Sequence, residues 1–275
     1  MTRKAAASMV DNPAISLSDV SVHFFKNSNR ITAVSHVSLD LAPGSFVALL
    51  GPSGCGKSTL MNCMAGLQIP TDGEVFSEGR KITGPNTGVG YMTQRDALLP
   101  WRTVEQNLRL PFDIQAGKKG KGGVHVPTDR IKWALDMVGL TNFKDHFPGE
   151  LSGGMLKRAA LAQTLAASPS IILMDEPFGA LDAQLKLQMH REVTKIWNAE
   201  KPTIVFVTHD IEEALALCDV VIVLASHPGR IKKVIEVDLP RPRDPVEIRF
   251  DQHFRDLHQE IWELIDTPEM TAAME

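Results

Sequence analysis

The chain has 275 residues, 29 Lys and Arg against 33 Asp and Glu (net charge −4), and 43% hydrophobic residues. That is apolar material for one large core or two modest ones, and the slightly acidic balance offers no basic stripe for nucleic acid. The longest apolar runs, such as Val220–Ala225, fall far short of the roughly 18 to 20 residues of a membrane helix, and Met1–Val10 lacks the apolar core of about 7–15 residues that a secretory signal carries.

The three cysteines, Cys55, Cys63 and Cys218, are odd in number and have no CxxC spacing. A disulfide framework or zinc site is therefore not indicated, and a reducing, cytoplasmic setting is expected. Residues 1–14 read as a loose lead-in. From Ile15 to Phe24 apolar and polar positions alternate with one slip, as in a half-buried antiparallel strand, and Val37–Leu41 continues that style up to a Pro43-Gly44 turn. Phe46–Leu50, Ile171–Met174, Thr203–Val207 and Val220–Leu224 are continuous apolar runs rich in β-branched residues, the pattern of parallel strands covered on both faces.

Gly51-Pro52-Ser53-Gly54-Cys55-Gly56-Lys57-Ser58 fits GxxxxGK[ST], entered by the apolar run Phe46–Leu50 and left by a helical stretch, Thr59–Gly66. Such a loop wraps a phosphate in backbone N–H groups at a helix N-terminus, with Lys57 on the β/γ oxygens and Ser58 placed for Mg²⁺. Cys55, at that N-terminus, is expected to have a lowered pKa, so that its alkylation would block nucleotide binding.

Thr103 and Gln106 form a capping box opening a helix, Gly117–Gly123 reads as a surface loop, and Thr128–Gly139 reads as a helix capped by Thr128 and stopped by Gly139. Asp182 caps a helix to Glu200 with Leu185, Met189, Val193 and Ile196 on one stripe. The C-terminal stretch Asp251–Asp266 sets Phe254, Leu257, Ile261 and Leu264 on one face. Its other face is acidic, so packing on its own domain is expected.

Ile171–Glu176 ends an apolar strand in two carboxylates, as at the edge of a ligand crevice. Leu151-Ser152-Gly153-Gly154-Met155 opens an Ala-rich helix with Ser152 as cap. That stretch resembles the signature motif of the ABC ATPases. Gln94 in Tyr91–Gln94 is similar to their Q-loop, Phe178–Asp182 to the D-loop, and His209 in Val207–Asp210 to the H-loop.

The resemblance, from about Ile15 to Leu239, implies an α/β fold: a P-loop NTPase core with a mainly parallel sheet, an N-terminal antiparallel β subdomain and an inserted α-helical subdomain of about residues 95–165. Residues 15–240 would form the ATPase domain and 241–275 a helical extension. It further implies ATP and Mg²⁺ as ligands, with Gly51, Pro52, Ser53, Gly54, Cys55, Gly56, Lys57, Ser58 and Thr59 around the phosphates. Asp175, Ser58 and Gln94 would hold Mg²⁺, Glu176 would be the general base or water-orienting residue, and His209 would contact the γ-phosphate. Ser152, Gly153 and Gly154 would close on the nucleotide of a second subunit. Phe24 is the candidate for stacking on adenine, with Phe25 as competitor and a core aromatic as the other reading.

Asp96–Arg102, the Met of LSGGM and the wording MDEPFGALD look like the importer ATPases for nitrate, sulfonate and taurine. Leu156 and Lys157 depart from the Arg-Gln that usually follows LSGGM. A peripheral protein on the cytoplasmic face of the inner membrane is implied, with separate permease subunits, a second ATPase subunit, a solute-binding protein and no nucleic acid. The alternative is an ABC ATPase not tied to transport.

Overall fold

The computed structural model describes residues 11–26, 29–94, 98–119, 127–179, 181–226 and 228–266. In chain order these form β1 (Ile15–Lys26), β2 (Asn29–Leu41), β3 (Phe46–Leu50), α1 (Lys57–Met64), β4 (Asp72–Ser77), β5 (Arg80–Lys81) and β6 (Val89–Met92). There follow α2 (Val104–Lys119), α3 (Thr128–Met137), α4 (Gly153–Ala166), β7 (Ile171–Asp175) and α5 (Ala183–Glu200). The last elements are β8 (Thr203–Val207), α6 (Ile211–Leu217), β9 (Val220–Ala225), β10 (Arg230–Glu236) and α7 (Gln252–Asp266). They divide into two units, one of residues up to Thr87 and from Thr203 onward, the other from Gly88 to Pro202.

In the first unit an antiparallel sheet runs in the order β2-β1-β4-β5. The β1–β2 register shifts between Leu17 and Val20, between Val20 and Val22 and again between Val22 and His23, and Asp19 sits in the first shift at φ +52°, a conformation that a short polar side chain tolerates. This irregularity is the slip in the alternation: Ile15, Leu17, Val20 and Val22 stay buried, whereas Phe24 emerges 43% exposed and Phe25 75% exposed. Phe24 is thus not a core residue.

The unit's other strands place β3 between β8 and β9, parallel to both, with β10 antiparallel on β9. Every residue of β3 and β8 is buried, and Phe46 meets Phe206 edge to face at 6.3 Å. Phe254, Leu257 and Ile261 bury the apolar stripe of α7 as its periodicity predicts, whereas Leu264, its fourth expected member, is only half-buried. Lys232 Nζ donates to the Leu264 carbonyl near the end of α7 at 2.7 Å, and His253 pairs with Asp238. Arg243, buried, donates to the carbonyls of Leu215, Cys218, Val237 and Leu239, and burial lowers its pKa to about 10.

In the second unit β6 and β7 pair in parallel, and α2 and α3 pack on α4. The Thr103–Gln106 capping box forms in both directions. Pro111 within α2 cannot bond the carbonyl of Asn107. Gln163 of α4 takes that carbonyl instead, at 2.7 Å.

The side chain of Asn107, fully buried, accepts from Leu99 N and donates to the carbonyls of Leu99, Arg102 and Thr103. It holds residues 99–103 against the helix. The cap of α3 differs from expectation. Pro127 occupies the N-cap and Thr128 is already helical, because a proline with its fixed φ needs no N–H at that position. Gly139 follows α3 at φ +65°, the expected stop. Helix α2 runs to Lys119, so the expected loop Gly117–Gly123 begins as helix, and its residues 120–123 lie outside the described residues. In α5, Asp182 accepts from Leu185 N at 3.0 Å, and Met189, Val193 and Ile196 are buried. Leu185 is only half-buried.

Candidate functional site

The phosphate-loop sequence folds as strand, turn and helix. From β3 the backbone turns through Gly51–Gly56, and α1 begins at Lys57, two residues earlier than expected. Gly56 is its N-cap at φ +91° and provides no side chain to cap the first turn, so the helix N–H groups open toward the loop. A Cβ on Gly56 would lie 2.9 Å from the Ala33 carbonyl oxygen. Ser53 and Gly54 are exposed, and Ser58 and Thr59 half-buried. The Lys57 ammonium is held over the loop by the carbonyls of Gly51 (2.7 Å) and Pro52 (2.9 Å). An ammonium, open helix N–H groups and a glycine backbone are the donor set that a polyphosphate requires.

Cys55 corrects an expectation. It is fully buried, and burial raises its thiol pKa despite the opposing charge of Lys57. Desolvation outweighs the helix N-terminus, so this thiol is not activated. The loop is backed by a residue that sequence reasoning missed. Gly229 donates its N–H to the Ala33 carbonyl at 3.0 Å, and a Cβ there would come within 2.1 Å of the Cys55 carbonyl oxygen. Pro228-Gly229 reads locally as an ordinary turn, and nothing in it announces the contact.

His209, also in the first unit, is exposed just ahead of α6. Its neighbours are fixed. Thr208, buried, donates its hydroxyl to Glu213 at 2.6 Å and accepts from Asp210 N, while Asp210 caps α6 by accepting from Glu213 N at 3.2 Å.

In the second unit Asp175 ends β7 with a buried carboxylate. Tyr91 on β6 has its pKa raised, chiefly by burial and further by that negative charge. A buried anion at a strand end is a fitting position for a divalent cation. Glu176 follows in the left-handed region at φ +51°, a strained conformation for a side-chain-bearing residue. Gln94 Nε2 donates to Glu176 Oε2 at 3.3 Å, so two of the expected site residues meet directly. The Gln94 carbonyl accepts from Lys157 of α4.

Ser152 caps α4, accepting from Met155 N at 3.4 Å, and is exposed with Gly153 at that helix N-terminus. Phe178 packs edge to face on buried His190 at 4.7 Å, while Asp96, Ala97 and Ala180 of the expected motifs lie outside the described residues. No described helix is long and apolar enough to cross a membrane.

Comparison with known proteins bears on this geometry. Residues 34–179 match the family model described as ABC transporter. The chain is 44% identical over 227 residues to the uncharacterized ABC transporter ATP-binding protein MJ0412 of Methanocaldococcus jannaschii, covering 82% of each protein. It is 38% identical over 238 residues to the aliphatic sulfonates import ATP-binding protein SsuB of Bacillus anthracis, covering 86% of this chain and 92% of that protein. Among solved structures it resembles the dimeric post-hydrolysis state of the ATP-binding cassette MJ0796 bound to ADP and Pi. The TM-score is 0.74 and the identity 31%, over 82% of this chain and all of the other.

Proposed function

The chain belongs to the ABC transporter family as an ATP-binding, ATP-hydrolysing cassette, and from that premise we propose that it powers import of a small oxyanion-bearing solute through separate permease subunits. The solute class, nitrate, sulfonate or taurine-like, rests on the likeness to a sulfonate import protein and on the sequence wording of the signature and Asp175 regions. The observation that carries the chemical reading is the hydrogen bond from Gln94 to Glu176 beside the buried Asp175.

In this reading Lys57 and the open N-terminus of α1 bind the β- and γ-phosphates. Ser58, Gln94 and Asp175 would hold Mg²⁺, which supplies charge neutralisation for phosphoryl transfer. Glu176 orients the attacking water and accepts its proton, and His209 contacts the γ-phosphate. A helix N-terminus carries about half a positive charge. The Ser152-Gly153-Gly154 end of one subunit would therefore complete the phosphate site of a second, making ATP the link between them. Loss of the γ-phosphate then weakens both halves of that link. Trp101, 71% exposed within the segment that Asn107 fixes, belongs to the surface proposed to dock on the permease.

The test is reconstitution of the full chain with its permease in vesicles. Lys57→Ala should abolish ATP binding and hydrolysis. A loaded solute-binding protein, assayed with sulfonate and nitrate, should stimulate the wild-type ATPase. ATP hydrolysis indifferent to permease and binding protein would favour an ATPase not tied to transport.

A further inference from the structure

Lys157 is one of two residues at which this sequence leaves the wording usual after LSGGM, and the ATPase reading gives it no role. It lies on α4 one turn beyond the Ser152 cap, half-buried, and its ammonium donates to the backbone carbonyl of Gln94. The adjacent Arg158 donates to the Val138 carbonyl at 2.7 Å, just past the end of α3. Two consecutive cations thus tie α4 to two different segments. Gln94 is joined to α4 through its backbone and to Glu176 through its side chain. The carbonyl bond fixes the peptide plane from which the Gln94 side chain departs, and a charged donor makes that bond stronger than a neutral amide would.

We infer that Lys157 is a positioning residue for ATP hydrolysis: through the Gln94 carbonyl it couples the signature helix to the orientation of the Gln94 amide on Glu176. The inference rests on the proposed roles of Gln94 and Glu176. The role is indirect, exerted through Gln94. A glutamine at position 157 carries a shorter, neutral donor, so this chain holds its Gln94 segment more firmly than the usual wording would.

Steady-state Mg-ATP hydrolysis by the full-length protein tests it. Lys157→Met should lower kcat by about five- to tenfold, the loss of one charged hydrogen bond, with KM for ATP and the melting temperature little changed. Lys157→Arg should restore kcat to within about twofold, since it keeps a charged donor. In a Gln94→Ala background Lys157→Met should cost nothing more, because the side chain it orients is gone. If Lys157→Met fails to fold, Lys157→Gln serves in its place with the same expected direction.

Parental kcat in the Met and Gln variants overturns the inference. So does a raised KM at unchanged kcat, or an equal further loss in the Gln94→Ala background. Glu176→Gln separates the two levels: if it hydrolyses ATP normally, the underlying site reading is wrong. If it is inactive while Lys157→Met is parental, only the positioning role falls.

Discussion

Gln94 and Glu176, 82 residues apart in sequence, are joined by a 3.3 Å hydrogen bond from the Gln94 amide to a carboxylate whose backbone is held at φ +51°. The amide steadies a carboxylate on a strained peptide, and strain of this kind persists only where the surroundings enforce it. Glu176→Gln should lower kcat by roughly 10² to 10⁴-fold, the range of a positioned general base. Phosphate release measures the loss. Elution of the variant with ATP in size exclusion should move to the dimer position.

Gly229→Ala should weaken ATP binding without touching the nucleotide. A Cβ cannot stand 2.1 Å from the Cys55 carbonyl, so the phosphate loop must shift. Overpacking of this kind costs about 1–3 kcal/mol. A calorimetric Kd for ATP should rise several-fold, and an unchanged Kd would show that the loop absorbs the methyl group.

All three cysteines are buried, and burial raises the pKa of each. Native protein should therefore resist iodoacetamide at neutral pH, whereas unfolded protein takes up three labels by intact mass. Rapid native labelling of Cys55 would contradict its burial.

Asn107→Leu should destabilise the second unit by about 2–4 kcal/mol, because the carbonyls of Leu99, Arg102 and Thr103 and the N–H of Leu99 lose one buried partner together. Urea unfolding followed by Trp fluorescence reads this. A loss below about 0.5 kcal/mol, the level of an ordinary surface change, would mean that the hub is dispensable.

The bond between His253 and Asp238 raises the pKa of His253 above 6.5 and lowers that of Asp238 below 3.8. The histidine's contribution is complete below 6.5 and disappears as pH climbs through its raised pKa. The aspartate's is complete above 3.8 and disappears as pH falls through its lowered pKa. Nearby Asp251 and Asp256 favour the charged imidazole further. Amide exchange of α7, corrected for intrinsic pH dependence, should be slowest between those limits and should quicken as the histidine deprotonates. His253→Gln should flatten the profile.

What could be read from the chain was local. The glycine–lysine loop, the Asp182 cap and the Thr103–Gln106 box are set by residues within a few positions of one another, and each formed as written. Even Phe24 was half legible: the slip in β1 was visible, but only the pairing with β2, whose register shifts again between Val22 and His23, decides how the aromatic emerges. Lys157, Gly229 and Asn107 were not legible. Lys157 and Gly229 meet partners far along the chain through backbone groups, which leave no imprint in composition or period, and Asn107 looks like any polar residue in a helix that contains a proline. Cys55 misled because a helix N-terminus is visible in sequence while burial is not.

The seven-residue helix α6 is clasped at both ends, by Thr208 and Asp210 on Glu213 at its start and by Arg243 on the Leu215 and Cys218 carbonyls at its finish. Both tips of this short helix are therefore closed by side chains: the residues that flank the exposed His209 close one, and Arg243, 28 residues beyond Leu215 in sequence, closes the other.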